Sequence, residues 1–158
     1  MNTIIQNVRK KVPLIHNITN YVTVNDVANI ILACGASPIM ADDEREAEEI
    51  TSICNGLNIN IGTLNARTIH SMKLAGKKAK ELGMYTVLRY FLLDSMAFEN
   101  IRQQQHMVRP DFIEVLPGVM PRVIKRICGS VKTPIIAGGL ITDKEDVMAA
   151  LSAGAIAV

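Results

Sequence analysis

Short β-branched runs alternate with segments of helical periodicity along almost the whole chain, and that alternation predicts the architecture. Helical patterns cover residues 3–11 and 24–34. The second is apolar enough to be read as buried, and it ends at Gly35, where a left-handed residue costs little. Residues 37–41 read as a strand. Asp43 with Glu46 three positions on makes a capping-box-like start for an acidic helix to about Cys54. A strand at 57–62 and a long helix at 65–82, closed by Gly83, follow. Beyond them come a strand at 85–92, a helix at 95–107 that Asp94 is placed to cap, and a strand at 112–116. Pro121 suits the first turn of a helix running to Cys128, because its missing N–H is not needed there. Residues 133–137 form a strand, Thr142 with Glu145 opens a capped helix to Ala153, and 155–158 begin another strand.

Six β-runs separated by helices imply an α/β fold of alternating βα units with a mainly parallel sheet. It is expected as an open sheet or an incomplete TIM-like barrel. In either layout ligands meet the C-terminal ends of strands, which points to loops 41–43, 62–65, 92–95, 117–120 and 138–142. No internal repeat beyond the βα unit, low-complexity tract or linker is evident.

Composition narrows this picture. Of 158 residues, 49% are hydrophobic and 20% charged, which is globular rather than disordered. No apolar run approaches the roughly 18–20 residues that span a bilayer, and the N-terminus has no apolar targeting core, so a cytoplasmic protein off the membrane is expected. Cys34, Cys54 and Cys128 are odd in number and lack C-x-x-C spacing, which reads as buried reduced thiols. A net charge of +2 does not declare a nucleic-acid binder. Its distribution is uneven, however: no acid lies between Glu114 and Asp143, while Arg122, Lys125, Arg126 and Lys132 are all cationic. Such a patch can meet phosphate, or can be an ordinary solvated helix face.

Three groups of residues could carry chemistry. Gly118, Gly138 and Gly139 follow β-runs and precede helix starts, where glycine allows close backbone approach and helix N-termini attract anions; they could equally make tight turns only. Glu114 lies mid-strand between apolar neighbours and so faces away from both; it could bind ligand hydroxyls or pair with Arg89. His16, Asn17, Thr19 and Asn20 form a polar cluster that could bind a heterocycle or cap the helix that follows. His70 and His106 read as surface residues, and no metal spacing, phosphate loop or nucleophile motif is present. No catalytic residue and no cofactor is evident.

Residues 1–83 resemble the N-terminal part of hydroxyethylthiazole kinase, a ribokinase-like family of thiamine salvage. The stretches that carry this are Pro13-Leu14-Ile15-His16-Asn17-Ile18-Thr19-Asn20, Tyr21-Val22-Thr23-Val24-Asn25-Asp26, Gly35-Ala36-Ser37-Pro38-Ile39-Met40-Ala41 and Asn58-Ile59-Asn60-Ile61-Gly62-Thr63-Leu64. The resemblance implies a thiazole pocket touched by Met40 and lined by Asn17 and Asn20, shared between subunits of a homo-oligomer. The ATP-binding and anion-hole motifs of that family are not found in this sequence.

Residues 77–158 resemble the C-terminal part of the glycerol uptake operon antiterminator regulatory protein, a TIM-barrel-like family. Tyr85-Thr86-Val87-Leu88-Arg89-Tyr90-Phe91, Pro110-Asp111-Phe112-Ile113-Glu114-Val115-Leu116-Pro117-Gly118 and Ile136-Ala137-Gly138-Gly139-Leu140 carry the match. It implies glycerol 3-phosphate at Glu114, Gly118, Gly138 and Gly139, and leader RNA at Arg122, Lys125, Arg126 and Lys132. The expectation is therefore a hybrid of two fragments, 1–83 and 84–158, or one domain merged from them. Its leading function is a glycerol 3-phosphate-responsive antiterminator-like regulator, impaired by the replacement of its early strands. The alternatives are a thiazole-binding fragment of the kinase and a hybrid with no function. The two resemblances meet within Lys77-Lys78-Ala79-Lys80-Glu81-Leu82-Gly83, inside a helix either parent would form.

Overall fold

A computed structural model describes residues 2–92, 96–107 and 110–158. The chain divides into two compact units, Met1–Met84 and Tyr85–Val158. In the first, α1 (Asn2–Lys11), β1 (Leu14–Ile18), α2 (Val24–Cys34), β2 (Ser37–Met40), α3 (Ala47–Ile53), β3 (Gly56–Ile59) and α4 (Ala66–Glu81) follow one another. Its three strands form a parallel sheet in the order β2-β1-β3.

The central strand β1 is where the hydrophobic pattern misleads. His16, Asn17, Thr19 and Asn20 read as a polar cluster ahead of a helix, but residues 14–18 are the spine of the sheet, with Asn17 registered against Met40 on one side and Asn58 on the other. His16 and Asn17 are buried here because neighbouring strands and helices supply their hydrogen bonds. The core beside them is Ile18, Ala47, Met72 and Ala75.

Three further expectations change. Helix α2 forms over the expected residues, but none of its side chains is buried, and Ile30 and Leu32 are exposed. Cys34, at its last position, is exposed too, whereas Cys54 is buried and Cys128 partly so. The cap expected from Asp43 does not form: α3 starts later, and Asp43 accepts instead from the backbone and guanidinium of Arg45. Gly35 behaves as expected, with φ +89° closing α2, and a Cβ there would also collide with Arg9.

The second unit contains β4 (Val87–Phe91), α5 (Met96–Met107), β5 (Phe112–Leu116), α6 (Pro121–Ser130), β6 (Ile135–Ala137) and α7 (Lys144–Ser152). Its sheet is parallel in the order β4-β5-β6. The run at 155–158 contributes only a single bridge, Ala157 to Ile136. Ile113 and Val115 of β5 and Ile135 and Ala137 of β6 face a core completed by Ile101, Ile124, Ile127, Ala150 and Ala155. Helix α6 is amphipathic, with Pro121 in its first turn and Ile124 and Ile127 inward. The cap of α7 sits one residue later than expected: Asp143, not Thr142, accepts from the N–H of Asp146, and Asp146 accepts in turn from Thr142. Asp94 and the His106 side chain lie outside the described residues. The architecture is mixed α/β with parallel sheets and, among the described residues, no closed barrel.

Candidate functional site

In the first unit the C-terminal ends of β1 and β2 open into a cleft of about 100 Å³ lined by Asn17, Thr19, Tyr21, Val24, Met40, Ala41 and Asp42. Asn17 stands at its floor. The Asn17 amide donates to the carbonyls of Ile15 on its own strand at 2.8 Å and of Ile39 on β2 at 3.4 Å, and its oxygen accepts from Asn58 Nδ2 on β3 at 3.2 Å, so the side chain is held from both flanking strands. Met40 lies at the rim, about one third exposed, a flexible apolar surface suited to a flat ring.

His16 braces the wall beside them. Its Nε2 lies 2.8 Å from the carbonyl of Ala41, which can only accept, so that nitrogen carries the proton. Its Nδ1 is 2.8 Å from Thr51 Oγ1, which is also 2.7 Å from the Ala47 carbonyl, so one hydroxyl proton faces two acceptors. Burial pushes the imidazole below its ordinary value of 6.5, while the Ala41 carbonyl and the Glu46 charge oppose that shift. The same burial raises the Cys54 thiol.

Asn20 is not among the residues lining the cleft. Its oxygen accepts from the N–H and hydroxyl of Thr23, both at 3.1 Å, while Asn60 donates to Thr19 and Thr23 at 3.0 and 3.3 Å. This closed network shapes the turn into α2. Outside the cleft, Arg67 grips Asp42 at 2.8 and 2.6 Å, and this hydrogen bonding, together with the Asp42 charge, raises the Arg67 pKa further. Thr51 and Arg67 were not singled out in the sequence, and Tyr21 and Asn58 only as parts of the stretches that carry the kinase resemblance. Loop 41–43 was, and the cleft does sit there; a polar Asn58 inside a β-run was the other available signal.

In the second unit Glu114, Gly118, Gly138 and Gly139 come together at the ends of β5 and β6. A Cβ at Gly138 would collide with the Glu114 carboxylate, and one at Gly118 would lie 3.0 Å from the Gly138 backbone. The loop is already internally bonded: Gly118 N–H donates to Gly139 O at 3.0 Å, and Gly138 N–H to Val115 O at 2.9 Å. Glu114 pairs with Arg89 through both oxygens at 2.7 and 3.2 Å, as the second of its two readings expected. On α6, Arg122, Lys125 and Arg126 are exposed, as is Lys132 beyond it. His70 is exposed, 4.0 Å from Glu44. Among the described residues no group of three or more His, Cys, Asp or Glu could hold a metal ion, and no helix is long and apolar enough to cross a membrane.

Comparison with known proteins assigns the two regions. Over 78 residues the chain is 76% identical to the hydroxyethylthiazole kinase of Clostridium acetobutylicum, 49% of this chain and 29% of that protein. It therefore spans less than a third of that relative's length. A solved hydroxyethylthiazole kinase protein from Pyrococcus horikoshii superposes with a TM-score of 0.57 and 30% identity over 97% of this chain and 58% of its own. The glycerol uptake operon antiterminator regulatory protein from Listeria monocytogenes shares the fold at TM-score 0.59 and 22% identity, covering 100% of this chain and 86% of its own. Residues 5–109 match the hydroxyethylthiazole kinase family and residues 61–158 the glycerol-3-phosphate responsive antiterminator family, so the chain is a hybrid that belongs to both.

Proposed function

We propose that the chain binds a small heteroaromatic alcohol of the hydroxyethylthiazole type in the cleft of its first unit. The observation that carries this is the open cleft itself, with Met40 at the rim and a fully bonded Asn17 beneath, within residues 5–109 that match the kinase family. The reading is one of ligand binding, with Met40 and Asn17 in contact and Asn20 shaping the adjoining turn; no phosphoryl-transfer step is derived for these residues.

A second reading belongs to the other unit: a glycerol 3-phosphate-responsive antiterminator-like regulator, impaired relative to its family, with RNA on Arg122, Lys125, Arg126 and Lys132. The convergence of Gly118, Gly138 and Gly139 on Glu114 favours it. The sequence ranks it first; we place it second because of the bonding at its loop. The N–H groups of Gly118 and Gly138 already donate within the loop and the Glu114 charge is paired with Arg89, so an anion there would have to open those N–H bonds to use them. In both readings the protein works in the cytoplasm, and residues 1–83 and 84–158 act as separate fragments.

Calorimetric titration of the chain separates the two. Saturable heat with hydroxyethylthiazole, weakened by Met40→Ala, is expected. Saturable heat with glycerol 3-phosphate alone overturns the first reading in favour of the second, and heat with neither leaves a hybrid without either parental ligand.

A further inference from the structure

Arg67 is the cation at this cleft to which the reading above gives no task. It stands in the first turn of α4 and is not among the residues that line the cleft. Its guanidinium nevertheless holds two of them: both carboxylate oxygens of Asp42, and the Tyr21 hydroxyl at 3.2 Å. Tyr21 follows β1 and Asp42 follows β2, so a single side chain ties together two separate loops of the cleft mouth. The backbone under Asp42 is fixed independently. Ser71 donates to the Asp42 carbonyl at 2.8 Å, and His16 holds that of Ala41. A planar fork of five donors can grip a carboxylate with two nitrogens and still reach a third acceptor, which a lysine ammonium cannot do in the same plane. Among the described residues that line the cleft, Asp42 alone carries a formal charge, and Arg67 pairs with it from outside.

We infer that Arg67 is a specificity-determining positioning residue: by pinning Tyr21 and neutralising Asp42, it makes the cleft select uncharged heteroaromatic ligands over cationic ones of the same shape. The inference rests on the cleft being a ligand site. Removing the guanidinium leaves a bare carboxylate beside the ligand and frees the Tyr21 ring. A neutral ligand then loses a fixed wall, whereas a cationic ligand gains a partner.

The test is calorimetry on the full chain with two probes, hydroxyethylthiazole and its N-methylthiazolium cation. Wild type is expected to prefer the neutral probe. In Arg67→Gln the neutral probe weakens by about fivefold and the cation tightens by about as much, the scale of one partly exposed charge pair. Tyr21→Phe weakens the neutral probe without gaining the cation, and Asp42→Asn combined with Arg67→Gln abolishes the gain. Thermal unfolding of each variant shows which are folded. Should Arg67→Gln not fold, Asp42→Asn carries the test, because an uncompensated Arg67 must then repel the cation further. If wild type binds the neutral probe and these variants keep its preference, the inference is overturned and the ligand reading stands. A wild type that binds neither probe removes both.

Discussion

His16 shows how a residue that resembles a ligand can be a structural brace with a chemical consequence. Burial disfavours the imidazolium, so the folded chain holds this ring below the 6.5 of a free imidazole. Below pH 6.5 the unfolded chain therefore binds more protons than the folded one. The stability that His16 contributes is complete above 6.5 and is lost as pH falls toward its lower folded pKa. The expected outcome is a urea midpoint of the first unit that declines below pH 6.5. In His16→Gln the decline is shallower, from a lower plateau, because Thr51 and Ala41 lose a partner. An equally steep acid slope in the variant would assign it to other groups. Gly138 makes the complementary point in the second unit, where the space for a methyl group is already occupied by the Glu114 carboxylate. Gly138→Ala must displace Glu114 from Arg89 or move the loop, and should cost about 1–3 kcal/mol. Hydrogen exchange at β5 and β6 measures it; exchange as slow as in wild type would mean that the loop yields freely.

At the scale of elements, most strands and helices were legible and their ends were not. The run at 112–116, with Ile113 and Val115, and the long helix before Gly83 follow from β-branched clustering and 3.6-residue periodicity, and the short run at 37–41 was set off by Gly35 before it; all three form. Strand β1 was hidden because its two polar residues are satisfied by partners distant in sequence, Thr51, Ala41 and Asn58, which no local pattern contains. The burial of α2 was overestimated for a related reason: an apolar composition does not say how many neighbours a helix will have, and α2 packs mainly on β2. Caps slipped where acids cluster. Thr142-Asp143 and Glu145-Asp146 offer two registers, and the structure uses the second. The candidate cleft was legible through Met40 and loop 41–43, but its outer support was not, because Arg67 joins Asp42 only once α4 folds back beside β1. The caps found by geometry carry a direct expectation. Asn65 accepts from Thr68 N–H at the start of α4, so Asn65→Ala should cost about 1 kcal/mol and raise exchange in the first turn of that helix. Unchanged protection there would show that packing of Thr68 and Met72 alone fixes the helix start.

The molecule as a whole joins two unlike cores along one chain. The first unit buries a small cluster of Ile18, Ala47, Met72 and Ala75, half of it alanine. Among the described residues the second buries six branched aliphatic side chains, Ile101, Ile113, Val115, Ile124, Ile127 and Ile135, with Ala137, Ala150 and Ala155 between them. Each fully buried isoleucine or valine contributes about 1.5–3 kcal/mol over an exposed one, so the second core has the greater hydrophobic stabilisation. The family matches overlap at 61–109, across α4, β4 and α5, whereas the compact units divide after Met84, so shared ancestry and cooperative folding need not have the same boundary. Two transitions are therefore expected on heating, the first unit melting below the second. Ile127→Ala should lower only the upper transition, by about 2–5 kcal/mol, since it empties a fully buried site in the second core. Met72→Ala should lower only the lower one. Hydrogen exchange read by mass spectrometry assigns each transition to its strands, β1 to β3 opening before β5 and β6. A single transition that both substitutions shift alike would mean that the two units unfold as one, and the proposal that residues 1–83 and 84–158 act as separate fragments would have to be abandoned.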